Sequence, residues 1–144
     1  MRKQLVKDLY PYNTIANVSK DRTIRSMAEL IVRHPEMHYF CVVDDVDNLL
    51  GLISRKRLFQ AIFSHHVSAS SKVTELYSLL TSKVAADLLI KQVFTCKESD
   101  SLDKIINLMV KQGLNAVPVL NKAGKFEGLV TIERLLSQWL ETIE

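Results

Sequence analysis

Apolar residues along this chain fall into short unbroken runs and spaced stripes, and the same succession of the two occurs twice. Ala116-Val117-Pro118-Val119-Leu120 is bounded by the turn residues Asn121-Lys122-Ala123-Gly124-Lys125, which predicts a buried strand. Gly128-Leu129-Val130 predicts a second strand, and Thr131 ahead of the periodic Ile132 and Leu135 predicts the N-cap of a helix. Earlier in the chain, Tyr39-Phe40-Cys41-Val42-Val43, the turn Asp44-Asp45-Val46-Asp47-Asn48, and Leu50-Gly51-Leu52-Ile53-Ser54 follow the same order. Aligning 39–58 with 116–135 pairs Val42 with Val119, Gly51 with Gly128, Leu52 with Leu129, Arg57 with Arg134 and Leu58 with Leu135. The chain is a duplication.

The correspondence extends upstream. Leu5-Val6-Lys7-Asp8-Leu9-Tyr10 predicts a helical turn ended by Pro11, with Ala85-Ala86-Asp87-Leu88-Leu89 as its counterpart. Thr14–Val18 and Gln92–Cys96 predict short strands. After Asp21-Arg22-Thr23, the positions Ile24, Met27, Ala28, Ile31 and Val32 keep helical spacing. The matching helix carries Leu102, Ile105, Ile106, Met109 and Val110 after Ser99-Asp100-Ser101, and Pro35 and Gly113 stop the two helices. The closing helices are amphipathic, through Leu58, Phe59, Ile62 and Phe63 in one, and Ile132, Leu135, Leu136, Trp139, Leu140 and Ile143 in the other. The second stripe is expected to be core or homodimer contact. Only Ser64–Lys83 lacks a counterpart; Val73, Leu76, Tyr77, Leu80 and Val84 predict an extra amphipathic helix there. The expected organisation is an α+β fold with repeats at 1–63 and 84–144 and a helical connector at 64–83. Neither repeat alone has enough surface to bury its apolar faces, so the two are expected to pack on each other about a pseudo-twofold.

Composition narrows the function. Of 144 residues, 47% are hydrophobic and 24% charged, which is ordinary for a soluble globular protein. The net charge of +3 comes from 19 basic and 16 acidic residues dispersed along the chain, which argues against the dense basic face of a nucleic-acid binder. No apolar run approaches membrane-spanning length, and the N-terminus carries no apolar targeting segment, so a cytoplasmic protein without membrane insertion is expected. Cys41 and Cys96 each sit in an apolar run and are expected to be buried, reduced thiols. The acidic stretch Asp44–Asn48 lacks the glycine and distal glutamate of a calcium loop, and the histidines fall at no ligand spacing, so no metal is expected. No nucleophile–base pair, phosphate loop or dinucleotide fingerprint occurs, so the protein is not expected to be an enzyme.

A series of weak elements, in the same order in both halves, resembles the cystathionine β-synthase (CBS) domain, and the two halves together resemble a tandem CBS pair. They are Asp8-Leu9 and Asp87-Leu88; the strands Ile15–Val18 and Val93–Cys96; Val117-Pro118-Val119-Leu120-Asn121; and the Gly-apolar-apolar-Ser/Thr elements Gly51–Ser54 and Gly128–Thr131. The resemblance covers Leu5–Phe63 and Val84–Ile143. It implies two β-α-β-β-α repeats forming a regulatory, non-catalytic module. Such pairs bind adenosine ligands such as AMP, ADP, ATP or S-adenosylmethionine in the cleft between repeats, commonly assemble as homodimers, and require no cofactor. By position, the ligand contacts implied are Ala16, Met37, His38, Tyr39 and Ser54 in the first half. In the second they are Phe94, Leu114, Asn115, Ala116 and Thr131. With no effector domain on the chain, a stand-alone module regulating an unknown separate protein is expected.

One departure bears on the ligand. The family's usual acid, three residues after Ser/Thr, holds both ribose hydroxyls; here Arg57 and Arg134 stand there, and arginine has no acceptor. Losing that contact would cost about 2–4 kcal/mol of nucleoside affinity. Each arginine also falls at the third helical position, where the helix dipole favours an acid. Either it is solvated, plugs its cleft or pairs with a carboxylate, or it joins the capped helix start in an anion site for a phosphate or polyphosphate. The first reading leads to a structural homodimerisation module with vestigial clefts, the second to a nucleotide sensor.

Overall fold

The computed structural model describes residues 4–63 and 82–142. The connector helix expected over 73–84 falls outside them, save that Val84 is extended and opens a single 3-10 turn at Ala85–Asp87. Ile143 of the last stripe is outside them as well. The chain divides into two compact units.

One unit comprises Ala16–Asp45 and the described parts of Leu49–Val93. Its sheet has β1 (Asn17–Ser19) parallel to the central β2 (Tyr39–Val43), and β3 (Leu49–Ser54) antiparallel on the other side. Helix α1 (Ile24–Arg33) makes the crossover and α2 (Arg55–Ile62) follows β3. Both begin on hydroxyl caps, since the Thr23 side chain accepts from Ser26 N at 3.1 Å and Ser54 Oγ accepts from Arg57 N at 3.0 Å.

The other unit comprises the segment ending at Ile15, the turn Val46–Asn48 and the chain from Phe94 onward. It repeats the same order with β4 (Cys96–Lys97), α3 (Leu102–Gln112), β5 (Ala116–Leu120), β6 (Phe126–Thr131) and α4 (Ile132–Thr142). Ser101 and Thr131 cap its helices, accepting from Lys104 N at 3.2 Å and Arg134 N at 3.1 Å. Gly113 ends α3 at φ +63°, a left-handed conformation that suits glycine. Cys41 and Cys96 are buried and unpaired; burial pushes both thiols up, Cys96 to about 12.

The strands predicted at Thr14–Val18 and Gln92–Cys96 are shorter and lie later, at Asn17–Ser19 and Cys96–Lys97. The difference between them has a local cause. Leu129 exchanges both backbone bonds with Asn13, so its neighbour Pro118 turns its nitrogen toward β4. Proline has no N–H to give, and the parallel ladder starts one residue on, at Cys96↔Val119. At the equivalent position Cys41 N donates to Ala16 O at 2.9 Å, and β1 gains a third residue.

Each unit is completed by a segment from the other sequence repeat. The turn Val6–Leu9 buries Val6 and Leu9 among Cys96, Ile105 and Val117, with Val6 N on Asp100 O (2.8 Å) and Lys7 N on Glu98 O (3.0 Å). Reciprocally, Ala85 N and Ala86 N donate to Arg22 O and Lys20 O at 2.8 and 2.9 Å. These segments then run along the outer sheet edges: Asn13 bridges Leu129 of β6, and Ile90 bridges Leu52 of β3. Covering the edge leaves no room at the repeated glycines. A Cβ on Gly51 would lie 2.5 Å from Ile90 O, and one on Gly128, at φ +149°, 2.6 Å from Tyr12 Cβ. We expect Gly51→Ala and Gly128→Ala each to lower unfolding free energy by about 1–3 kcal/mol in urea titrations, from overpacking against backbone. Wild-type stability in either variant would mean the edge segment yields freely.

Aspartates fix the backbone where one of these segments begins and where the other docks. Asp87 accepts from Lys83 N (2.9 Å) and Val84 N (3.2 Å), and these bonds hold its carboxyl below the usual range. Burial pushes Asp100 up, but the Lys97 backbone bond and the Lys104 ammonium outweigh it and leave it lowered. A lowered folded-state pKa adds stability above the unfolded value of about 4 and forfeits it as pH falls through the folded value. Stability should therefore drop below about pH 4, and the drop should be shallower in Asp87→Asn and Asp100→Asn, as read from urea midpoints between about pH 6 and 3.

Candidate ligand-binding site

Strand register assembles the same constellation in each unit. In the first, Tyr39 at the start of β2 pairs with Ser54 at the end of β3, and Arg55 N donates to His38 O at 3.0 Å. In the second, Ala116 pairs with Thr131, and Ile132 N donates to Asn115 O at 3.1 Å. The chain entering each central strand is thus tied to the first turn of the closing helix. Those backbone bonds bring His38, Tyr39, Ser54 and Arg57 together in one unit, and Asn115, Ala116, Thr131 and Arg134 in the other. Met37 and Ala16 are buried beside the first set, Ala16 joining it through its bond to Cys41. In the second set Leu114 and Asn115 are half-buried, while Phe94, ahead of β4, is exposed.

The arginines at the third helical position are engaged differently. Arg57 Nε donates to the backbone carbonyl of Leu88 at 2.6 Å, which ties α2 to the edge-covering segment. The Arg134 guanidinium instead lies along its own helix, with one NH group on Gln138 Oε1 at 3.2 Å. Among the described residues neither guanidinium pairs with a carboxylate. The first turn of α2 holds no acid, whereas that of α4 holds Glu133. Arg57 is therefore a clamp on a backbone carbonyl, and Arg134 combines a positive charge with a capped helix start. Leu88 is the partner that sequence reasoning missed; the signal for it was a cation at a helix start with no acid in reach.

The stripe on α4 is not core within its unit. Leu135 packs against the buried cluster, but Leu136, Trp139 and Leu140 are 55%, 58% and 63% exposed. Leu135, Leu136 and Trp139, with Met109 and Leu114, edge an apolar groove of about 550 Å³ between α3 and α4. On the first unit, Phe59 of the closing helix and Phe63 just beyond its end pack with ring centroids 4.9 Å apart and planes tilted by 41°, and both stay exposed. Among the described residues no three His, Cys, Asp or Glu side chains gather closely enough to hold a metal ion, and no helix is long and apolar enough to cross a membrane.

Solved structures share this fold. Structurally the chain is similar to CBSX2 from Arabidopsis thaliana, solved in complex with AMP, with a TM-score of 0.79 and 21% identity, covering 98% of this chain and 99% of that one. It is also similar to the CBS domain pair of protein MJ0100, solved with 5′-methylthioadenosine and S-adenosyl-L-methionine, with a TM-score of 0.71 and 20% identity over 97% and 98% of the two chains. At such identities the likeness speaks for the fold. In sequence, the homoserine O-acetyltransferase of Methanosphaera stadtmanae is 29% identical over 131 residues, which is 91% of this chain and 23% of that protein. The chain spans about a quarter of the length of the curated relatives it first matches. Residues 6–64 and 84–141 each match the CBS domain family, and on that double match the chain belongs to the CBS domain family as a tandem pair.

Proposed function

We propose that this CBS pair is a regulatory module that senses an adenine nucleotide or a related anionic adenosine ligand. The reading rests on one observation: Arg134, whose backbone N–H is capped by Thr131, carries a guanidinium engaged only by the neutral amide of Gln138 among the described residues. Asn115, Ala116, Thr131 and Arg134 would receive the ligand in one half, with Phe94 beside them; Ala16, His38, Tyr39 and Ser54 are their counterparts in the other. Support for the ligand class comes from the adenosine compounds bound to CBSX2 and to the MJ0100 pair. An arginine where the family keeps a ribose-binding acid shifts affinity from sugar to phosphate, so the ligand is held by its anionic end. Ligand binding reaches a partner protein by favouring one arrangement of the module over another, which requires different affinities for the two.

Arg57 favours a second reading in its own half. With its guanidinium spent on Leu88 O, that half is the better candidate for a vestigial, structural role. The exposed face of α4 fits the same theme, as the contact through which two copies form a homodimer.

Calorimetric titration of wild type with AMP, ADP and ATP should give affinity rising with phosphate count. Arg134→Ala should weaken ATP by about 10- to 100-fold, the usual worth of one charged hydrogen bond, and weaken AMP less. Arg57→Ala should instead lower stability with little effect on affinity. Equal affinities for the three nucleotides would remove the anion role. A ligand present at 100 times its dissociation constant adds about 2.7 kcal/mol of stability, so absence of any thermal shift across these nucleotides would leave the structural reading in its place. For the dimer, Leu136→Glu with Leu140→Glu should convert a sedimenting dimer to monomer.

A further inference from the structure

A cavity of about 1070 Å³ opens at the carboxyl ends of β4 and β5, and Lys7, Lys97 and Lys122 all line it. It lies at the far end of the sheet from Ala116 and Thr131. Five residues of β5 separate the two ends, a distance of roughly 13 Å at the usual strand rise. We infer that this cavity is a second anion site, independent of the one proposed at Arg134, and that it takes the polyphosphate group of a small molecule.

Three separate segments bring the lysines there, and hydrogen bonds fix the backbone of each. Lys7 N donates to Glu98 O at 3.0 Å, and Lys97 N donates to Asp100 Oδ2 at 2.9 Å. The turn bearing Lys122 is ordered by Asn121 Oδ1, which accepts from Ala123 N and Lys125 N at 2.9 and 3.0 Å. None of the three ammonium groups has an ion-pair partner among the described residues. The acids nearby are occupied: Asp100 Oδ1 holds Lys104 at 3.3 Å, Glu127 takes the Asn121 amide at 2.8 Å, and Glu98, the one carboxylate in the lining, accepts the Tyr12 hydroxyl at 3.0 Å. Lys125, the fourth lysine of this region, is drawn off to Asn48 Oδ1 at 2.8 Å. The lining therefore carries three cations against one carboxylate, with the Ser99 hydroxyl available as a further donor. Like charges converging on one cavity repel; an anion with several charges, touching all three, reverses that sign. An anion carrying several charges can meet more than one of these ammonium groups, which favours a di- or triphosphate chain over a single phosphate.

The test is titration of the full chain with sodium tripolyphosphate at constant ionic strength, followed by amide NMR. Lys97, Ser99, Lys122 and Gly124 amides should shift saturably. Lys97→Glu with Lys122→Glu should weaken binding by about 100-fold or more, about tenfold for each ammonium lost and more for the charge reversal. Both side chains are exposed, so the variant's dispersed spectrum serves as the folding control. Arg134→Ala should leave this binding unchanged, which separates it from the site proposed above. Tripolyphosphate should bind at least tenfold tighter than sulfate. ATP shifting the same amides would name a nucleotide tail as the source, and tripolyphosphate alone would name the free chain. The inference fails if these amides stay still, if sulfate binds equally well, or if Arg134→Ala abolishes binding while the double lysine variant retains it.

Discussion

The close passage of one backbone over another at Gly51 and Gly128 is the constraint from which the rest follows. A three-stranded sheet whose parallel edge strand is two or three residues long has little to hold it together. Its other edge would present unpaired N–H and C=O groups along β3 or β6. Both problems are met by a segment drawn from the opposite sequence repeat, which bridges Leu52 through Ile90 and Leu129 through Asn13. Such a bridge needs a residue without a side chain beside it. Once the edge is fixed, so is the end of the strand, and with it the hydroxyl of Ser54 or Thr131 that caps the next helix. The candidate site is thus positioned by an approach made three strand residues away.

Much of this was legible in the chain. Apolar runs marked β2, β3, β5 and β6, and hydroxyl residues before periodic stripes marked the helix starts at Thr23, Ser54, Ser101 and Thr131, because both are local signals. The repeated glycine was visible as a pair, yet its reason was not, since Ile90 and Tyr12 are distant in sequence from the glycines they meet. For the same reason the stripe ending in Trp139 could be read as amphipathic but not assigned a cover. Hydrophobic period reports that a face is apolar and says nothing of what lies on it. Exchange of the opening turns between units escaped entirely. Val6 and Leu9 looked like a helical turn of the first repeat, and only their burial against Cys96 and Val117 assigns them to the other unit.

Duplication supplied two copies of each feature, and later substitutions made them unequal. Pro118 against Cys41 is one example: the same place in the central strand has lost its donor in one copy, and the parallel strand beside it is shorter by a residue. Phe94, which stands where Ala16 accepts the Cys41 bond in the other copy, is exposed.

Arg57 and Arg134 are the more consequential pair. Both occupy the third helical position, where a cation is opposed by the dipole by about 0.3–1 kcal/mol. In the first unit that cost is offset locally, because the guanidinium satisfies the Leu88 carbonyl on the segment that closes the sheet edge. The residue there serves stability, and no ligand is required to explain it. In the second unit no such carbonyl is engaged, and a neutral amide from the same helix cannot neutralise the charge. A charge kept at a capped helix start, with only a neutral amide as its partner among the described residues, is the feature on which the proposed anion role rests. The difference between the two arginines, rather than their shared identity, is therefore what would separate a sensing half from a structural one under the function proposed above.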